Sequence, residues 1–156
     1  MTDKIDSALV TIEQVNEKLP ELALVLIEDV FHHEQNIPKA LIPLGNDNQI
    51  WWCIKRRNRL VGVVAAWEDR SEWHWGRLAV DKEVRRLGLG KKLVIKSLDE
   101  LFQMGIEKVV IDGRDITVRM VENLGGKITG EKSTFYGTPI TPMELKKGDY
   151  LLKTGG

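Results

Sequence analysis

The string RRLGLGKK, Arg85 to Lys92, places two glycines one residue apart between paired cations. Where no Cβ intervenes, backbone N–H groups can close on an anion. A helix starting at that point adds the equivalent of half a positive charge. Arg85, Arg86, Lys91 and Lys92 raise the local potential further. A phosphate or pyrophosphate is the ligand this chemistry favours. A tight turn before a helix, with solvated charges around it, uses the same residues, and Gly-x-Gly alone does not separate the two. The spacing excludes two other phosphate loops. G-x-x-x-x-G-K-[ST] is absent, and the third position of G-x-G-x-x-G is filled by Leu93.

The elements that must position this loop follow from periodicity. Ala8 to Ile12 suggests a first strand. Pro20 suits the first turn of a helix from Glu21 to His33, whose LALVLI core is apolar almost all round. NIPKALIP, with prolines at 38 and 43, reads as a loop. Gln49 to Lys55, Leu60 to Trp67 and Trp73 to Val80 read as three strands of an antiparallel meander, turning at RRNR and EDRSE. From Leu89 the apolar residues Leu93, Val94, Leu98, Leu101 and Phe102 fall at helical spacing, and Gly105 suits the helix end. Lys108 to Ile111 is a short buried strand. Asp115 is expected as the N-cap of a helix to Leu124, ended by Gly125-Gly126. Late strands are expected near Lys127 to Phe135 and Asp149 to Lys153. Strand, helix, strand over residues 73 to 111 requires a crossover and one parallel pairing. The fold class is therefore α/β, with a mixed sheet, in one domain over residues 1–156.

The 156 residues include 23 Lys plus Arg and 23 Asp plus Glu. That balance argues against a nucleic-acid partner, which phosphate neutralisation would favour with a basic surplus. The longest apolar run, Leu22 to Ile27, is too short for a bilayer, so no membrane partner is expected. MTDKIDSALV lacks the pattern of a signal peptide, and the expected location is cytoplasmic. The single cysteine, Cys53, lies in a strand and reads as core. His32-His33 lacks the i, i+4 spacing of helical zinc pairs, so no metal site is expected.

The longer string RLAVDKEVRRLGLGKKLV, residues 77 to 94, resembles the acetyl-CoA motif of the GNAT superfamily of N-acetyltransferases. That motif is a strand, a short acidic turn, and [RQ]-x-x-G-x-[GA] opening a helix. Arg85, Gly88 and Gly90 fill its fixed positions. VFHHEQNIP at 30 to 38 and ENLGGK at 122 to 127 are similar to other family segments. The resemblance implies a GNAT-like, mostly antiparallel central sheet flanked by helices. It implies that acetyl-CoA is the co-substrate and that the chain is an N-acetyltransferase. The pyrophosphate would be held by backbone N–H groups of Arg86, Leu87, Gly88, Leu89, Gly90 and Lys91. The pantetheine arm would lie along Leu78, Ala79 and Val80, where neighbouring strands splay apart, and the Leu78 N–H would serve the thioester oxygen.

Acetyl transfer needs a neutral amine, a donor for the developing oxyanion and a proton for the departing thiolate. Beside the third meander strand stand Glu68, Glu72 and His74. A histidine can accept a proton near neutral pH, although His74 between Trp73 and Trp75 equally fits simple packing. Many relatives carry a tyrosine just before the E-x-L-G string; here that residue is Val121. Tyr136, in FYGTP, is the remaining phenol considered as proton donor. The partner is expected to be a small-molecule or peptide amine, and an apolar or aromatic one if the tryptophans line its slot. Acceptor choice would fall to VFHHEQNIPKAL and the loop FYGTPITP. The resemblance leaves room for a homodimer. Without turnover, the same fold would serve as an acyl-CoA-binding sensor or scaffold.

Overall fold

The computed structural model describes residues 10–15, 25–27, 30 and 49–155. Pro20, His32-His33 and the segments expected to shape the acceptor slot before Gln49 lie outside the described residues. Within the expected first helix, residues 25–27 are helical, and Leu26, Ile27 and Val30 are buried.

Eight strands are described: β1 (Val10–Val15), β2 (Gln49–Arg56), β3 (Arg59–Asp69), β4 (Glu72–Val80), β5 (Lys108–Gly113), β6 (Lys127–Ile128), β7 (Ser133–Phe135) and β8 (Thr138–Lys146). Their hydrogen-bonded order is β1-β2-β3-β4-β5-β8-β6, with β7 also on β8. Three α-helices are described over their full length beside them: α1 (Leu89–Gln103), α2 (Asp115–Asn123) and α3 (Lys147–Thr154). The sheet is mixed and mostly antiparallel. β4 and β5 pair in parallel, His74 opposite Val110, as the crossover through α1 demands.

The described residues form two compact units. One contains those up to Ala66 together with Arg77–Asp99; the other contains Trp67–Gly76 and the chain from Glu100 onward. In the first, Trp51, Trp52, Cys53 and Ile54 of β2 are buried in succession, as are Val61 to Ala66 of β3. Runs buried at every position mark strands covered on both faces. Leu93, Val94 and Leu98 of α1 belong to the same core, and a Cβ added at Gly62 would meet Leu93 at 3.4 Å. Both hairpins turn on two left-handed residues, Arg57 and Asn58 (φ 53° and 65°) and Arg70 and Ser71 (φ 54° and 66°). These are the primed turns whose twist matches the strands, built here without glycine. Burial pushes the Cys53 thiol up to about 11, helped by the Glu13 carboxylate, so it stays protonated and inert.

The second unit packs Trp75, Phe102, Ile111, Val121, Met143 and Tyr150, all nearly free of solvent. Here three expectations are corrected. Asp149 to Lys153 is not a strand but part of α3, whose Tyr150 packs on Phe102 at 5.1 Å. The loop FYGTPITP is instead the turn into β8, which pairs with β5 from Lys146↔Lys108 to Thr141↔Gly113. Its prolines disguise it, since proline weakens a strand interior. Pro142 is tolerated because its carbonyl accepts from the Thr129 N–H at 2.9 Å, and its missing donor falls on that same side, where β6 has already ended. Finally, Asp115 is not the N-cap. Arg114 holds that position with extended backbone, and Asp115 begins the helix and pairs with Lys132 at 3.1 Å. The first strand, expected over Ala8 to Ile12, is described from Val10 to Val15, and Ala8 and Leu9 lie outside the described residues.

Gly125 is where α2 ends against α3. Its φ is +106°, and an added Cβ would stand 2.7 Å from the Asp149 carbonyl oxygen. Gly137 also has positive φ (+80°), but among the described residues an added Cβ would meet nothing within 4 Å. Urea unfolding should show Gly125→Ala losing roughly 2–5 kcal/mol, from left-handed strain plus overpacking, and Gly137→Ala only about 1–2 kcal/mol. Equal losses would contradict this packing of α2 on α3.

Candidate active site

β4 carries the residues that matter most, and it is not regular. Arg77 has φ +60° inside the strand, a left-handed bulge in otherwise extended backbone. Its Nη1 donates to Gln49 Oε1 at 2.6 Å, spanning β3, which lies between β2 and β4. Burial pushes its guanidinium down to about 10, still charged at neutral pH. After the bulge, Leu78 is half-buried while Ala79 and Val80 are buried.

The chain then leaves the sheet at Asp81, through a 3-10 turn over Lys82–Leu87 that was not expected from the sequence. Asp81 caps this turn, its Oδ1 accepting from the Glu83 N–H at 2.9 Å. Val84 inside the turn and Leu89 just after it are each 4% exposed and pin the segment to the core. Arg85 donates from Nε to the Val80 carbonyl at 2.9 Å. Gly88 ends the turn in the left-handed region (φ +75°), and α1 begins at Leu89. Arg86, Gly88, Lys91 and Lys92 are exposed around the first turn of α1. Five cations between Lys82 and Lys92 outnumber Asp81 and Glu83. A helix start with this charge can hold an anion on its free N–H groups.

Gly90 tests whether such an anion fits. It sits within α1 without a positive φ, and among the described residues an added Cβ would meet only Val80 Cγ2, at 3.4 Å. That is ordinary contact. Glycine costs about 1 kcal/mol against alanine inside a helix. Among the described residues neither conformation nor packing calls for a glycine here, and a bare backbone is what close approach of a ligand requires. The residues present therefore fit the pyrophosphate of coenzyme A.

The catalytic candidates lie on the other side of the bulge, in the second unit. His74 stacks on Trp67, centroids 5.5 Å apart and planes 8° off parallel. Its Nε2 is 4.0 Å from Glu72 Oε1, and its side chain is 21% exposed. Glu72 also lines a cleft of about 550 Å³ with Trp73, Ile106 and Lys108. Glu68 is exposed. Tyr136 is not gathered with these residues. It is 47% exposed, edge-on to Phe135 in the turn before Thr138, past the Thr141↔Gly113 end of the β5–β8 ladder. Glu72 lies towards the opposite end of that strand direction, two residues before the His74↔Val110 pair. Val121 is fully buried. Among the described residues no cluster of His, Cys, Asp or Glu could hold a metal, and no helix is long and apolar enough to cross a membrane.

Residues 14–125 match the model of the Acetyltransferase (GNAT) family. No curated protein sequence matches the chain. Among solved structures it is similar to Escherichia coli ElaA, with 19% identity over 88% of this chain and 99% of that one and a TM-score of 0.77. It is also similar to an acyl-CoA N-acyltransferase from Pseudomonas aeruginosa, with 18% identity over 86% and 98% and a TM-score of 0.72. The PaiA N-acetyltransferase of Thermoplasma acidophilum, solved in complex with coenzyme A, shares 14% identity over 87% and 99% with a TM-score of 0.61. At these identities the likeness is one of fold. The family match covers most of the sequence, and the chain belongs to the GNAT acetyltransferase family, whose general activity is acetyl transfer from acetyl-CoA.

Proposed function

We propose that the chain transfers the acetyl group of acetyl-CoA directly to a primary amine of a small molecule or peptide. The observation that carries this reading is Gly90, a helical glycine with room for a Cβ among the described residues and no reason there to lack one. Backbone N–H groups from Arg86 to Lys91 hold the pyrophosphate. The arm of the co-substrate follows Leu78, Ala79 and Val80. Arg85 engages the Val80 carbonyl at the end of that strand. The Leu78 N–H stands as donor to the thioester oxygen as negative charge develops there.

The amine must lose a proton before or as it attacks. His74 is the base this reading selects. Trp67 fixes the plane of its ring, and Glu72 lies beside Nε2, so a proton taken by the ring has a carboxylate nearby. The amine nitrogen then bonds to the carbonyl carbon, the carbon–sulfur bond breaks, and the thiolate of CoA leaves with the electron pair. Tyr136 is the phenol that could return a proton to it from the β7–β8 turn. A second reading, acyl-CoA binding without turnover, draws on Val121, a buried valine where many relatives carry a tyrosine.

Turnover separates the two readings. Acetyl-CoA consumption with a panel of small aliphatic, aromatic and peptide amines should exceed hydrolysis for at least one member. His74→Ala should lower kcat for that amine about 10²-fold or more while changing CoA affinity little. Equal kcat in variant and parent would remove His74 from the reaction, and no turnover with any amine would favour the sensor.

Gly90→Ala should move stability and binding in opposite directions. Unfolding free energy should be unchanged or higher by up to about 1 kcal/mol, while CoA binds roughly tenfold more weakly by calorimetry. Parent-like affinity would contradict the cradle.

A further inference from the structure

Asp81 makes four hydrogen bonds at the point where β4 becomes the anion loop. Its N–H donates to the Val61 carbonyl at 2.8 Å, and its carbonyl accepts from the Val84 N–H at 3.1 Å. Oδ1 accepts from the Glu83 N–H at 2.9 Å. Oδ2 accepts from Nη2 of Arg59 at 2.6 Å, across 22 residues of sequence. Arg59 opens β3, directly after the β2–β3 turn, and belongs to no part of the glycine string. Its Nη1 lies 3.6 Å from Glu83 Oε2. One guanidinium thus meets both carboxylates at the entrance to the loop. The Asp81 side chain is 19% exposed, against 59% for Arg59 and 69% for Glu83. A carboxylate shielded to that degree keeps more of its charge interactions than one in open water. Left uncompensated, it would repel an anion held a few residues away.

We infer that Arg59 is a positioning residue for the anion loop. Through Asp81 it fixes the turn Lys82–Leu87 against β3, and by offsetting one of the two negative charges of Asp81 and Glu83 it keeps the field at Gly88 to Lys91 more positive. The ligand in this inference is the one given by the reading of the loop as a CoA site. The brace itself is independent of that reading.

Two arms test it, both on the full chain. In the first, calorimetry with CoA should show Arg59→Ala raising Kd about three- to fivefold, the scale of up to 1 kcal/mol for a partly exposed ion pair. Arg59→Lys should recover part of the loss. Asp81→Asn keeps an oxygen for the Glu83 N–H but removes the charge. In that background Arg59→Ala should change Kd by less than about 1.5-fold, because the two residues act through one another. In the second arm, hydrogen exchange without ligand should be faster at the Glu83 and Val84 amides of Arg59→Ala than in the parent. Equal Kd in Arg59→Ala and parent, or an undiminished effect of Arg59→Ala in the Asp81→Asn background, contradicts the inference. A parent that binds no CoA contradicts the ligand reading instead, and the exchange arm still decides the brace: unchanged exchange at Glu83 and Val84 overturns it.

Discussion

At Asp81 a strand must stop, a loop must open and a helix must start, within nine residues. Four hydrogen bonds converge on that one residue, from β3, from the turn it caps and from Arg59. Val84 and Leu89 then fasten the turn and the helix start to the core. The chain from Asp81 to Leu89 is thus anchored at both ends, which is what the proposed site made of backbone N–H groups requires. Donors already in place lose no ordering entropy when the anion arrives. The remaining features of the loop, its exposed cations and its helical glycine, act only because this geometry holds.

The electrostatics are local. The whole chain is neutral, yet the stretch from Lys82 to Lys92 is strongly basic, and its two entrance carboxylates share one guanidinium. Net charge governs solubility and long-range attraction; a field focused at one helix start governs what binds there. The bulge at Arg77 adds a second local device. It divides β4 into a half that carries His74 and a half that leads to the loop, with a charged, half-buried side chain at the break. Each half belongs to a different compact unit.

The parts of this arrangement that could be read from the sequence are those encoded by short-range pattern. The meander announces itself by three β-rich runs and two polar turns, and α1 by apolar residues at helical spacing after the glycines. The loop is legible because Gly88, Gly90 and the flanking cations are contiguous. Features encoded by distant or contrary signals are not. β8 carries Pro139 and Pro142, which argue against a strand until the partner at Thr129 is known. Tyr150, Leu151 and Leu152 resemble a short strand, and only the packing of Tyr150 on Phe102 shows why a helix forms. Asp115 has the residue type of a cap, but its carboxylate goes to Lys132. The left-handed Arg77 has no residue-type signal, and Arg59 and Asp81 are joined only by the fold. For the candidate site, the loop was therefore readable, its brace was not, and the stacking of His74 on Trp67 could not be told from a histidine packed between its sequence neighbours.

Everything proposed for this chain rests on the backbone from Arg86 to Lys91 holding the pyrophosphate of CoA. A thermal shift with acetyl-CoA, with free CoA and ATP beside it, tests this most directly. At a hundred times its dissociation constant a ligand adds about 2.7 kcal/mol of stability, which for a domain of this size raises the midpoint by roughly 5–10 °C. The account predicts such a shift with acetyl-CoA and with CoA but not with ATP. No shift with any of the three would contradict it and leave the glycine string as the start of a helix and nothing more.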